Sequence, residues 1–204
     1  MAEKARIVWT PANIVSAARI AMFPFMIVLA YLELAFPSEN VRRHLTFWYA
    51  LLFTLGMLSD VLDGYLARSR NEVTTLGKFL DPLSDKILVV TALLLLVMHG
   101  RAPAWVAIVI ILREVTVTAL RTMASAEGVI ITARWWGKLK TLFQSFALGF
   151  LLLHYPRNLF GVVFDFHFWG TVLLYAALVI TVWSGYEYFH AFFLRDDAPP
   201  RDVT

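Results

Sequence analysis

The sequence predicts an all-α integral membrane protein of six transmembrane helices, preceded by a short N-terminal interfacial helix. Three observations predict it. Of the 204 residues, 59% are hydrophobic and only 16% charged, and the mean hydropathy of +0.67 lies outside the range of a soluble domain. Apolar blocks recur near residues 13–35, 45–67, 78–99, 103–126, 138–155 and 167–193, each near or above the ~20 residues that carry a helix across ~30 Å of hydrocarbon. Basic residues also divide unevenly between the connections. With both termini cytoplasmic, Lys4, Arg6, Arg68, Arg70, Lys78, Arg134, Lys138, Lys140, Arg195 and Arg201 fall inside, against Arg42, Arg43, Arg101 and Arg157 outside.

Taken in order, the opening "MAEKARIVWTPAN" mixes Lys4 and Arg6 with Ile7, Val8 and Trp9. That suits a helix lying in the headgroup layer over residues 1–12, or equally a loose tail, before Pro11 resets the chain. The first span is longer than a signal h-region, and Asn13, Ser16 and Arg19 interrupt its start, so it is expected to stay in the mature protein. The last block is long enough to tilt or to extend into water. Residues 1–195 read as one catalytic domain and 196–204 as a polar tail within "RDDAPPRDVT". The chain has no cysteine, which excludes disulfides, thiol nucleophiles and Cys-ligated metals. The pI of about 9.3 points to anionic headgroups and phosphorylated substrates rather than to nucleic acid.

The chemistry concentrates in "SDVLDGYLARSRNEVTTLGKFLDPLSDK", residues 59–86. Asp60 and Asp63 lie three apart at the end of the second span, and Asp81 and Asp85 four apart at the start of the third, so each pair shares a helix face. Pro82 fits a helix start, where a missing N–H costs nothing. Two antiparallel helices can aim all four carboxylates at one place. At membrane depth such a cluster repels itself and needs positive charge between its members. Oxygen donors without His or Cys suit a hard ion, Mg2+, Mn2+ or Ca2+, and a pair of divalent cations answers the need. The competing reading is helix-end charge that reaches water or pairs with Arg68, Arg70, Lys78 and Lys86. Gly64 and Ala67 leave a side-chain-poor strip beside the carboxylates, and the planar fork of Arg68 suits a phosphate or a base edge.

The spacing Asp60-x2-Asp63-Gly64-x2-Ala67-Arg68-x8-Gly77-x3-Asp81-x3-Asp85 resembles the signature of the CDP-alcohol phosphotransferase family at every specified position. The resemblance implies a homodimer of six-helix subunits whose active site opens to the cytoplasm, in a bacterial inner membrane. It also implies a reaction in which an alcohol hydroxyl attacks the β-phosphorus of a CDP-linked donor and CMP leaves. Carried onto this chain, Asp60, Asp63, Asp81 and Asp85 would hold two divalent cations, Mg2+ or Mn2+. Asp85 would also take the acceptor's proton, and Asp60, Gly64, Ala67, Arg68 and Gly77 would bind the CDP moiety.

The second half carries Arg113, Glu114, Arg121, Lys138 and Lys140 in or beside apolar spans, where snorkelling is the alternative to a function, above all for Lys140. Its Arg113-Glu114, Leu120-Arg121 and "GKLKTLFQ" elements, with Asn13 and Arg19, are similar to the branch of the family that condenses CDP-diacylglycerol with glycerol 3-phosphate. Arg113, Arg121 and Lys138 are the residues expected to grip the acceptor phosphate. Rival acceptors are inositol phosphate, serine and phosphatidylglycerol. A divalent-cation transporter and a structural scaffold are the rivals from other classes, and the one-sided acidic cluster without internal repeat speaks against the transporter.

Overall fold

The computed structural model describes the backbone of residues 11–70, 75–126, 135–159 and 161–193, and side chains within these except at 11–13, 60–70, 75–82, 125–126, 159 and 191–193. Among the described residues six α-helices follow one another: α1 (Pro11–Ala35), α2 (Glu39–Arg70), α3 (Thr75–Met98), α4 (Ala104–Ala126), α5 (Trp135–Leu153) and α6 (Phe166–Phe193). Between α5 and α6 lies an antiparallel hairpin of β1 (Arg157–Leu159) and β2 (Val162–Phe164), with Arg157 opposite Phe164. The interfacial helix expected over 1–12, apart from Pro11 and Ala12 in the first turn of α1, and the tail over 196–204 lie outside the described residues.

Local chemistry explains the boundaries. Pro11 opens α1, where a missing N–H costs nothing, and α1 ends two residues before Pro37. The Ser38 carbonyl accepts the Arg42 N–H at 3.0 Å at the head of α2. At the end of α3, Gly100 adopts φ +67° and Arg101 N–H bonds back to the Leu96 carbonyl at 2.8 Å, a left-handed stop that reverses the chain. Asp165 caps α6, its Oδ1 accepting the Phe168 N–H at 3.0 Å. One expectation is corrected: α3 begins at Thr75, so Pro82 sits two turns inside the helix rather than in its first turn.

α1 packs on α2 and α3, α5 on α6 and α2, and α4 on α6 and α3. Phe23, Met26, Phe53, Leu93, Ile110 and Leu148 fill the middle. Two helices, Ile14–Ala35 of α1 and Phe166–His190 of α6, are long and apolar enough to cross a membrane by length and composition. Within the described residues α4 and α5 carry Arg113, Glu114, Lys138 and Lys140 and miss that criterion, although Leu112, Val115, Leu142 and Phe146 lie exposed on their outer faces.

The end of the bundle away from the aspartates is closed by polar side chains that serve one another. Buried Arg101 donates to Glu33 and to the Tyr49 hydroxyl, and reaches the Leu152 carbonyl at 3.3 Å. Tyr49 donates to Glu33 Oε2 at 2.6 Å, and His99 Nε2 lies 3.0 Å from the same oxygen. The cluster thus joins α1, α2, the α3–α4 turn and α5. In the neighbouring connection, burial pushes the His154 imidazole down to about 4, helped by the Arg101 guanidinium and by His167.

Candidate active site

Three helices meet at Arg19. Its side chain is 1% exposed inside the bundle, with Nε donating to Ser59 Oγ of α2 at 3.0 Å and Nη1 to Ser84 Oγ of α3 at 3.2 Å. Ser59 in turn donates to the Gly56 carbonyl at 2.8 Å. Gly56 has no side chain because Leu88 occupies the space: a Cβ there would stand 3.1 Å from Leu88 Cδ2. These contacts set the register of α2 against α3, with 56 level with 88 and 59 near 84. Antiparallel helices continued by one turn in that register bring position 60 level with 85 and 63 level with 81, to within about one residue rise of ~1.5 Å. The side chains of Asp60, Asp63, Gly64, Ala67, Arg68, Gly77 and Asp81 lie outside the described residues, while their backbones belong to the last turns of α2 and the first turns of α3.

Of the four aspartates, Asp85 alone has a described side chain. It is partly buried and lines a cavity of about 70 Å³ between α3, α4 and α5, shared with Lys86, Glu114, Lys140, Gln144 and Ser145. Among the described residues no group of three or more His, Cys, Asp or Glu could hold a metal. The level of the two aspartate-bearing turns and their oxygen-only chemistry fit hard divalent cations rather than a His- or Cys-bound metal.

Lys140 does not snorkel. Its residue exposure is 5%, and its ammonium pairs with Glu114 Oε1 across the cavity, the same oxygen that Arg113 Nη1 approaches at 3.4 Å. Two residues earlier on α5, Lys138 is exposed. Side chains two apart on a helix do not share a face. Arg113 donates through Nη2 to Ser184 Oγ at 2.9 Å, and its guanidinium stands 5.7 Å from the Tyr188 ring centroid. Arg121 donates to the Tyr188 hydroxyl and stacks over the same ring at 5.1 Å. Gly185 makes room for this, since a Cβ would lie 3.3 Å from Arg113 Cγ. The structure therefore gathers Arg113 and Arg121 on one aromatic face of α6, and among the described contacts Lys138 makes none with Tyr188. Ser184, Gly185 and Tyr188 were not among the expected site residues. Their only signal is the small pair in "WSGYEYF", which reads equally well as helix packing.

A family model described as CDP-alcohol phosphatidyltransferase matches residues 9–183. A CDP-diacylglycerol–glycerol-3-phosphate 3-phosphatidyltransferase of Bacillus subtilis (strain 168) is 44% identical over 184 residues, covering 87% of this chain and 92% of its own length. A protein of the same name from Haemophilus influenzae is 38% identical, covering 83% of this chain and 86% of its own length. One from Rickettsia typhi is 34% identical, covering 88% of this chain and 94% of its own length. The matched region holds the Arg19 bridge, the aspartate-bearing turns of α2 and α3, the Glu114–Lys140 cavity and the first turns of α6, and by it the chain belongs to the CDP-alcohol phosphatidyltransferase family.

Proposed function

We propose that the chain transfers the phosphatidyl group of CDP-diacylglycerol to glycerol 3-phosphate, releasing phosphatidylglycerophosphate and CMP. The carrying observation is the register of α2 against α3, in which Arg19 draws Ser59 and Ser84, the neighbours of Asp60 and Asp85, to one guanidinium. Relatives that carry this activity in their names over most of their length support the choice of donor and acceptor.

In this reading Asp60, Asp63, Asp81 and Asp85 hold two divalent cations, Mg2+ or Mn2+, which when bound neutralise the pyrophosphate and stabilise departing CMP. Asp60, Gly64, Ala67, Arg68 and Gly77 line the CDP moiety, the small residues leaving room for a flat base and Arg68 offering its fork. An acceptor hydroxyl oxygen bonds to the β-phosphorus as the bond from that phosphorus to the CMP phosphate breaks. The hydroxyl proton passes to Asp85, which the α3–α4–α5 cavity makes reachable for a small molecule. Arg113, Arg121 and Lys138 grip the acceptor phosphate, the first two already oriented by Tyr188.

All six helices span the bilayer, with both termini and the aspartates on the cytoplasmic side of a bacterial inner membrane, and the chain acts as a homodimer. The exposed apolar side chains of α4 and α5 support spans interrupted only by functional charge.

The test is CMP release by purified protein given CDP-diacylglycerol and a panel of acceptors. Glycerol 3-phosphate should support turnover, and inositol phosphate, serine, phosphatidylglycerol and glycerol should not. Chelation should stop it, and Mg2+ or Mn2+ restore it. Asp60→Asn, Asp63→Asn and Asp81→Asn should each abolish turnover. Asp85→Asn should lower it by about 10²–10⁴, as for a lost general base, with donor binding retained. Undiminished release in chelator removes the two-ion reading, and preference for another panel member removes the acceptor.

A further inference from the structure

Gln144 follows Lys140 by one turn of α5, so both enter the cavity that Asp85 lines. They meet different surroundings there. Lys140 is paired with Glu114, whereas Gln144, 3% exposed, keeps an Oε1 with no hydrogen-bond partner among the described residues. A buried carbonyl oxygen left unpaired is costly, and folded proteins retain few without a use for them. Packing alone does not account for it, because Leu or Met would fill a similar volume on α5 without the cost.

The cavity says what the oxygen is for. Its volume of about 70 Å³ lies between three helices, with Val89, Val90, Ile111 and Val115 forming much of the wall and a few polar side chains converging on it, and it is several times the ~10–15 Å³ that one water needs. An apolar group would leave Oε1 unpaired, and a fully ionised phosphate, whatever it gains from Lys86 and Lys140 in the same lining, has no proton to offer a lone pair. A hydroxyl suits it, having a proton to donate. Glycerol 3-phosphate brings two hydroxyls on adjacent carbons. The primary one attacks and gives its proton to Asp85, and the secondary one takes no part in bond making yet must be desolvated beside it. We propose that Gln144 Oε1 accepts a hydrogen bond from that secondary hydroxyl, which makes Gln144 a residue that selects for an alcohol at the acceptor's middle carbon. The inference rests on glycerol 3-phosphate being the acceptor.

The experiment compares glycerol 3-phosphate with 3-hydroxypropyl phosphate, which keeps the attacking hydroxyl and the phosphate and lacks only the secondary hydroxyl. With CDP-diacylglycerol saturating, wild-type kcat/KM should favour glycerol 3-phosphate by about 5- to 150-fold, the range of a buried partner left unsatisfied. Gln144→Leu should bring the ratio to within about 3-fold of unity, chiefly by losing kcat/KM for glycerol 3-phosphate, because neither acceptor then has a partner to miss. Gln144→Met, which keeps the chain length, should do the same and stands in if the Leu variant does not fold. General damage lowers both acceptors alike and leaves the ratio unmoved, so the ratio separates recognition from structure. A wild-type ratio near unity, or a wild-type ratio retained in the variants, overturns the role of Gln144 and leaves the acceptor reading standing. A wild-type enzyme that releases no CMP with glycerol 3-phosphate instead removes the acceptor reading itself.

Discussion

A guanidinium that reaches two helices is hard to replace, and Arg19 shows why at the scale of single residues. Its planar fork faces Ser59 and Ser84 at once, whereas a lysine ammonium is a point donor on a different stem. Arg19→Lys should therefore keep the charge and lose at least one of its bonds to Ser59 and Ser84, lowering stability by about 1.5–3 kcal/mol, the worth of a hydrogen bond to a charged group. Arg19→Gln should lose more, and turnover should fall in both as α2 and α3 drift out of register. Thermal melting of the detergent-solubilised protein checks this, and unchanged melting of Arg19→Gln would show that the bridge does not hold the helices. The sequence marks Arg19 only through resemblance, because its partners lie 40 and 65 residues away. The fate of Lys140 is equally hidden. Composition favours snorkelling for a lone lysine near a helix end, and only the position of Glu114, 26 residues earlier on another helix, turns it inward.

Helix contacts are set by where glycine allows approach, and α5 and α6 offer a matched pair of tests. A Cβ on Gly170 would stand 2.8 Å from Leu151 Cγ and 3.0 Å from the Leu151 backbone nitrogen, the second of which cannot rotate away. A Cβ on Gly149 meets nothing nearer than Phe53 Cε1 at 4.0 Å. Alanine gains up to ~1 kcal/mol of helix propensity over glycine at either position. At Gly170 overpacking of about 1–3 kcal/mol outweighs that gain. Gly170→Ala should thus lower the melting temperature and Gly149→Ala should hold or raise it, and the reverse order would refute the α5–α6 packing. At this scale most of the fold is legible: each apolar block becomes a helix with bounds a few residues from those expected. The hairpin is not, since strands of three residues leave no room for an alternating pattern. Nor is the extra turn at the head of α2, because Arg42 and Arg43 break the apolar run while Ser38 and Glu39 still start a helix.

For the molecule as a whole, the proposed orientation has a direct test, since the chain contains no cysteine and single ones can be introduced singly. Ser38→Cys and Asn158→Cys mark the α1–α2 and α5–α6 connections, and Ser69→Cys the aspartate end of α2. In intact cells with the outer membrane permeabilised, a membrane-impermeant maleimide should label the first two and spare the third until the inner membrane is opened. Labelling of Ser69→Cys alone would invert the topology. The charge asymmetry behind this expectation is legible in sequence, while the convergence of Arg113 and Arg121 on Tyr188 is not, because it depends on α4 and α6 packing together.

In the proposed membrane orientation, an enzyme that buries acids risks leaking protons across the bilayer. Here the two polar regions are kept apart. From Asp85 to His99 the chain runs about 20 Å at the helical rise, past Leu88, Ala92, Leu93 and Leu96, each at most 1% exposed. Beyond that plug, Glu33 is engaged by Arg101, Tyr49 and His99, so its charge is spent locally. Among the described residues no file of polar groups leads from one region to the other. In the proposed orientation the closed end would thereby let carboxylate chemistry proceed at membrane depth without opening a path for protons through the bilayer.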